Sequence, residues 1–180
     1  MQDLSLHILD IVQNSIRAHA HEIHIHIEEM PNKNQLVLTI QDNGDGMPKE
    51  FAKQIVDPFV TTRTLRRVGL GIPLLKQNCD NSQGELSISS ELGKGTIIKA
   101  SMAYSHIDRI PLGDVVSTII TLIQGNPNID YIYKYQYEEK SFTFETQEVK
   151  KILKDVTIDN LDVLAWLKDY LEENMNITKE

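Results

Sequence analysis

The stretch LHILDIVQNSIRAHA, Leu6 to Ala20, repeats its apolar residues at a helical period. Leu4, Ile8, Leu9, Ile11, Val12 and Ile16 cover one broad arc of that helix. Asp10, Asn14 and Arg17 stand together on the other side, because positions three and four apart are helical neighbours. Asp3 or Ser5 can cap its start, and its end is expected near His19 to His21. The period then changes at once. EIHIHIE, Glu22 to Glu28, alternates strictly, so Ile23, Ile25 and Ile27 face a core and His24 and His26 face the other way.

A carboxylate and a carboxamide on successive helical turns can hold a water and a divalent ion against a phosphate chain. Without a nucleotide nearby, the same polar arc is only solvated. Composition narrows the setting. With 180 residues, 41% hydrophobic and 24% charged, the chain has room for one ordinary domain and a small appendage. A net charge of −8 argues against nucleic acid held on a broad basic surface. The single cysteine, Cys79, excludes an intrachain disulfide and fits a reducing compartment, where it reads as a small buried apolar side chain. No apolar run approaches the length of a membrane span, and no basic-then-apolar leader opens the chain. The expectation is a cytoplasmic protein with neither membrane nor nucleic-acid partner.

Further along, Met30 to Gln35 reads as a turn and Leu36 to Ile40 as a second strand, antiparallel to the first. QDNGDGM is too rich in Gly, Asp and Asn to continue that strand, and a short helix opens after Pro48. Asp57 to Val68 has no period and reads as a loop carrying Arg63, Arg66 and Arg67. Gly69 to Cys79 turns helical, with Pro73 in its first turn. GELSISS and GTIIKASMAY form a second strand pair across the turn Leu92 to Gly95. Beyond a soft boundary near Ser105 to Pro111 come a helix over Pro111 to Gln124, stopped by Gly-Asn-Pro, and an aromatic hairpin over Ile129 to Tyr137 and Ser141 to Thr146. Helices over Gln147 to Lys154 and Asp159 to Glu173 finish the chain. The aromatic strands either extend the sheet or form a dimer face.

Two glycine turns join the opening helix as candidate chemistry. Asp42-Asn43-Gly44-Asp45-Gly46 puts a carboxylate at a strand end, where it can accept from the exocyclic amine of adenine, and its glycines let backbone pass close to a ligand. An EF-hand reading of the same turn fails, because the acid at loop position twelve would be Lys53. Gly69-Leu70-Gly71, opening a helix after an arginine-rich loop, offers backbone N–H groups to phosphate. There is no P-loop: GKGT at Gly93 to Thr96 lacks the upstream glycine. His19, His21, His24 and His26 invite a metal reading, but transition-metal sites need three or four converging ligands, and a solvated or partner-covered sheet face is favoured.

The order Asp10 and Asn14, Asp42-x-Gly44-x-Gly46, Asp57-Pro58-Phe59, Gly69-x-Gly71, Gly93-x-Gly95-Thr96 resembles the GHKL ATPase superfamily over residues 4 to 103. That superfamily holds gyrase-type topoisomerases, heat-shock chaperones, mismatch-repair ATPases and histidine kinases. The resemblance implies a two-layer α/β sandwich of the Bergerat type, with helices on one face of a mixed sheet. It implies an ATP-binding domain over 1–106, leaving 107–180 as a small helix–hairpin–helix α+β extension of unassigned role. Within the domain, Asn14 looks like the residue that ligates Mg2+, and Asp10 occupies the place of a catalytic glutamate or asparagine. Asp42 looks like the adenine-reading aspartate, with Gly44, Gly46 and Met47 at the floor of the base pocket and Thr96 sharing a water with Asp42. Phe59 and the segment Thr61 to Val68, with Thr62 and Arg63, look like the lid; Gly69, Leu70 and Gly71 would meet the phosphates.

Departures shape the functional expectation. Aspartate at position 10 draws the carboxylate back by about 1.5 Å, one C–C bond, relative to glutamate, which counts against efficient hydrolysis. The short lid, from PFVTTR to VGLGI, looks most like histidine kinases, yet only five residues precede the first motif, so the hairpin with their phospho-accepting histidine is expected to be missing. His7, one turn before Asp10, reads as an exposed surface histidine rather than a substitute acceptor. Two functions follow from the resemblance: a Mg2+-dependent regulatory phosphotransferase or slow ATPase acting on a protein partner, or an ATP/ADP sensor that docks a partner through its C-terminal module. Small anti-sigma serine kinases of the superfamily imply that no built-in histidine is required, and a homodimer stays open.

Overall fold

The computed structural model describes residues 2–57 and 71–180. Helix α1 (Leu4–Arg17) leads into strand β1 (Glu22–Met30), a 3-10 turn (Pro31–Lys33) and β2 (Gln35–Asp42). Then come α2 (Lys49–Ile55), α3 (Gly71–Asn81), β3 (Leu86–Glu91) and β4 (Gly95–Ala103). The C-terminal part adds α4 (Val115–Gly125), β5 (Asp130–Tyr137), β6 (Lys140–Glu145), α5 (Thr146–Leu153) and α6 (Leu161–Lys179). Asp3 starts α1 by accepting from the Leu6 amide at 3.0 Å, which satisfies one of the donors every helix start leaves open. Asp114 does the same for α4 through the Ser117 amide at 3.0 Å.

The described strands form one six-stranded sheet in the order β3-β4-β2-β1-β5-β6. Every pairing is antiparallel except β1 with β5, and a parallel pair needs a long crossover. The aromatic hairpin therefore extends the sheet, which runs unbroken across the soft boundary near 105–111. Ile23, Ile25 and Ile27 align with Tyr131, Tyr133 and Tyr135 and are buried with them beneath Leu4, Ile8, Ile11 and Val12 of α1. His24, His26, Thr39 and Lys134 take the alternate positions on the opposite face. This is the α/β sandwich expected, a mixed sheet with helices packed over its apolar face.

Several strand and helix ends differ from the sequence reading: α4 opens at Val115 behind its Asp114 cap rather than at Pro111, and β1 runs on to Met30. β2 continues through Gln41 and Asp42, because both neighbours pair with it: Asp42 lies opposite Ile23 on one side and Thr96 on the other. Pairing on both edges outweighs the turn preference of the local sequence. Helix α6 runs past Glu173 to Lys179, since Met175 and Thr178 prolong its inward stripe.

The end of α6 also meets a buried acid. Glu29, 3% exposed, accepts from the Tyr135 hydroxyl and pairs with Lys179 Nζ at 3.3 Å; the Tyr104 hydroxyl reaches it at 3.4 Å. This network ties β1, β5 and α6 together. Glu29→Ala strands the buried Tyr135 hydroxyl and is expected to cost about 2–3 kcal/mol. Lys179→Met, at a half-exposed partner, is expected to cost under about 1 kcal/mol. Urea unfolding of the two variants measures the difference, and equal losses would dismiss the network as the tie.

Candidate functional site

The last crosswise row of the sheet carries the polar residues. Tyr131, Ile23, Asp42, Thr96 and Ser90 lie side by side on five adjacent strands, all on the helix-covered face. Asp42 is 9% exposed, and each of its oxygens is engaged: Oδ2 accepts from the Ser15 hydroxyl of α1 at 2.6 Å, Oδ1 from the Gly44 amide at 2.9 Å. A carboxylate has about four acceptor positions, so it retains capacity for a further donor. Beside it, Ser90 donates to the Gly95 carbonyl at 3.1 Å and accepts from the Met47 amide at 2.9 Å. Thr96, 2.8 Å from Ser90, then gives its proton to Ser90 and keeps its own lone pairs for a ligand or water. A cleft of about 270 Å³ lies at this end of the strands, lined by Asp42, Ser90 and Thr96 and by Gln41, Ser89 and Ile97 at the alternate positions.

The turn after Asp42 is fastened on both sides. The Asp45 amide donates to the Ala18 carbonyl at 2.7 Å, and the Gly93 amide donates to the Asp45 carbonyl at 2.7 Å. Asn43 Oδ1 accepts from the amides of His21 and Glu22, both at 3.0 Å. Gly46 has φ +68°, and a Cβ there would lie 2.0 Å from the Glu91 carbonyl oxygen; one on Gly44 would lie 2.6 Å from that of Ala18. The room these glycines leave is thus taken by the chain's own backbone, which locks Met47 and Asp42 in place.

On α1, Asn14 immediately precedes Ser15, and Asp10 stands one turn before Asn14. Asp10 Oδ2 is buried without a hydrogen-bond partner among the described residues, and burial raises its pKa, with Arg17 pulling the other way. Gly71, at the start of α3, lies against it: a Cβ there would sit 1.8 Å from Asp10 Oδ2. Arg17 Nη1 donates to Asn14 Oδ1 at 3.2 Å, so a guanidinium already holds the oxygen a cation would take. The structure sets Gly71 against Asp10 at the middle of α1, places Asn14 one turn further on beside Ser15, and gathers Asp42, Gly44, Gly46, Met47 and Thr96 at the C-terminal end of the helix. Phe59, Thr62, Arg63, Gly69 and Leu70, and the remainder of the expected lid, lie outside the described residues.

Three residues were read wrongly or passed over in the sequence. His7 is not a surface histidine: it is fully buried, accepts from Asn78 Nδ2 at 3.0 Å through Nε2, and its pKa falls to about 4 through burial. Ser15 and Ser90 escaped notice, yet each carries a signal. Ser15 sits four after Ile11 and three after Val12 on the inward arc, and Ser90 shares the strand face of Leu86 and Ile88. Cys79 is buried as expected, its thiol pushed up to about 12. Among the described residues no three His, Cys, Asp or Glu side chains converge as a metal site. His24 instead meets Glu22 at 2.8 Å on the face away from Asp42, and no helix of the described residues is long and apolar enough to cross a membrane.

The sequence profile of the histidine kinase-, DNA gyrase B- and HSP90-like ATPases matches residues 2–105, more than half of the chain. The chain belongs to this ATPase family. Sporulation kinase C of Bacillus subtilis (strain 168) is 34% identical over 91 residues, 51% of this chain and 21% of that protein. A putative sensor protein of Shewanella frigidimarina (strain NCIMB 400) is 35% identical over 109 residues, 59% of this chain and 17% of that one. The chain thus spans about a fifth of the length of these relatives. Among solved structures, the N-terminal domain of a DNA repair protein shares the fold at TM-score 0.55 and 16% identity, covering 79% of this chain and 52% of that one. That share exceeds what residues 2–105 supply, so the likeness of fold reaches into the C-terminal strands and helices of this family member.

His7 links the site to stability. Its folded pKa, about 4, lies below the usual 6.5, so the stability that rests on its neutral form is present above pH ~6.5 and is lost as pH falls through about 4. The loss is at most about 3 kcal/mol. Asp10, raised by burial, acts in the opposite sense, so the comparison of parent with His7→Leu isolates the histidine. Denaturant midpoints between pH 7.5 and 4 are expected to fall more steeply for the parent than for the variant; parallel curves would refute the assignment.

Proposed function

We propose that the chain binds Mg-ATP along α1 and acts as a regulatory phosphotransferase or slow ATPase on a protein partner. The observation that carries this reading is Asp42: a buried carboxylate anchored by Ser15 and the Gly44 amide, in register with Thr96, in a member of an ATPase family. An exocyclic amine would donate to Asp42, whereas a ring carbonyl in that place would face acceptor against acceptor, so adenine is favoured over guanine.

The middle of α1, from Asp10 to Asn14, suits phosphate and metal. Asn14 Oδ1 is a hard oxygen donor of the kind Mg2+ takes, and an ion there, with Arg17 swung aside toward phosphate, would supply charge neutralisation along the phosphate chain. Gly71 opens a helix whose N-terminal amides favour anions. Asp10 Oδ2, buried beside Gly71 and without a hydrogen-bond partner among the described residues, would accept a proton from an attacking hydroxyl, and its raised pKa moves it toward that task. Its short reach fits slow turnover or transfer to a bound partner better than fast hydrolysis. The kinase name of the Bacillus relative supports transfer.

Calorimetry with ATP in excess Mg2+ tests the reading, with heat of binding expected for ATP and ADP. GTP is expected to bind roughly ten- to a hundredfold more weakly, the worth of one charged hydrogen bond. Asn14→Ala is expected to lose the Mg2+ dependence of ATP binding. Incubation with γ-labelled ATP in extract of the native cell is expected to leave label on a protein or in free phosphate. No heat with any adenine nucleotide would refute the binding reading, and binding with neither label nor phosphate would refute the enzymatic part.

A further inference from the structure

The two last helices leave an apolar groove uncovered. Val149, Ile152 and Leu153 of α5 and Val163 and Trp166 of α6 line about 280 Å³, with Asp162 at its rim. Ile152 is 78% exposed and Trp166 58%. Helix α6 carries two apolar stripes. The inward one, Leu164, Leu167 and Leu171, is buried in the core. The outward one runs through Val163, Trp166, Tyr170 and Ile177, with Trp166 stacked on Tyr170 at 5.3 Å between centroids. A helix needs only one such stripe to dock on its own domain, and uncovered apolar surface of this kind marks an interaction site.

Charge says what covers it. Asp162, Asp169 and Glu173 run along α6 beside the outward stripe, at spacings of seven and four. None of the three makes an ion pair among the described residues. The nearby lysines of α5 are spent inside the chain: Lys150 pairs with Asp130 at 3.1 Å and Lys151 with Glu148 at 3.0 Å. A second copy pairing through this face would set acidic row toward acidic row in a chain already at −8, and an anionic lipid surface would meet the same repulsion.

We infer that the α5–α6 groove docks an amphipathic helix of a partner protein, its apolar face seated against Ile152 and Trp166 and its lysines or arginines along Asp162, Asp169 and Glu173. This is the helix-in-groove mode, with the apolar anchors giving affinity and the acidic row giving register and attraction. No part of it depends on nucleotide, so it stands or falls apart from the ATP reading.

The chain has one tryptophan, so its fluorescence reports on this groove alone. The probes are a short leucine/lysine amphipathic helical peptide and its leucine/glutamate counterpart. With the full chain, the leucine/lysine peptide is expected to shift Trp166 emission to the blue and to saturate, with affinity falling as NaCl is raised. The leucine/glutamate peptide is expected to bind at least roughly tenfold more weakly. Ile152→Asp and the pair Asp169→Lys with Glu173→Lys change exposed residues, so the fold is kept; each is expected to weaken the shift by about tenfold or more. No shift, equal shifts with both peptides, or an unchanged response in these variants would overturn the inference. So would a blue shift in the chain alone that grows with concentration alongside dimer in sedimentation, which assigns the groove to a second copy. A shift on phosphatidylglycerol vesicles with none on peptide would overturn it in favour of a membrane surface.

Discussion

One hydrogen bond joins the two layers where the candidate site lies. The Ser15 hydroxyl of α1 donates to Asp42 at the end of β2 at 2.6 Å, with both partners buried. A buried carboxylate is costly unless it is satisfied. Ser15 and the Gly44 amide satisfy it, and in doing so they set the distance between helix and strand end. Because α1 is rigid, the same bond carries the adjacent Asn14, and Asp10 about 7.5 Å back along the axis, to definite places. The adenine-reading carboxylate on β2 and the phosphate-facing side chains on α1 are thus positioned, in the proposed site, by one contact between helix and sheet.

Around that contact the chain uses backbone for rigidity and leaves side chains for chemistry. The turn after Asp42 is pinned by amide–carbonyl bonds to Ala18 and Gly93, and its glycines permit those approaches. The unpartnered Asp10 oxygen is the counter-example, a polar atom that the described structure leaves unsatisfied. Native structures keep few such groups, and those kept concentrate at functional sites.

The C-terminal residues are bound into the same sheet. β5 lies parallel to β1 along eight residue pairs, and Glu29 collects Tyr135, Tyr104 and Lys179 at the far end from Asp42. Any event that shifts α6 at its outward stripe is therefore one element away from β1, whose first residues adjoin Asp42. The groove and the site share a sheet without sharing a surface.

Much of this was legible in the chain. The 3.6 and 2.0 periods of Leu4 to Glu28 read directly as helix and strand, and Asp10, Asn14 and Arg17 fell on one helix side, because those patterns depend only on local geometry. The motif order named the family. What stayed hidden depended on partners distant in sequence. Asp42 belongs to a strand because Ile23 and Thr96 flank it, and His7 is buried because Asn78 and Gly71 of α3 close over it. Whether the aromatic hairpin would join the sheet or face a second chain was decided by the parallel pairing of β5 with β1. Local sequence sets which face of an element is apolar; only the packed whole decides which face finds a neighbour, since burial belongs to pairs of elements and not to either one.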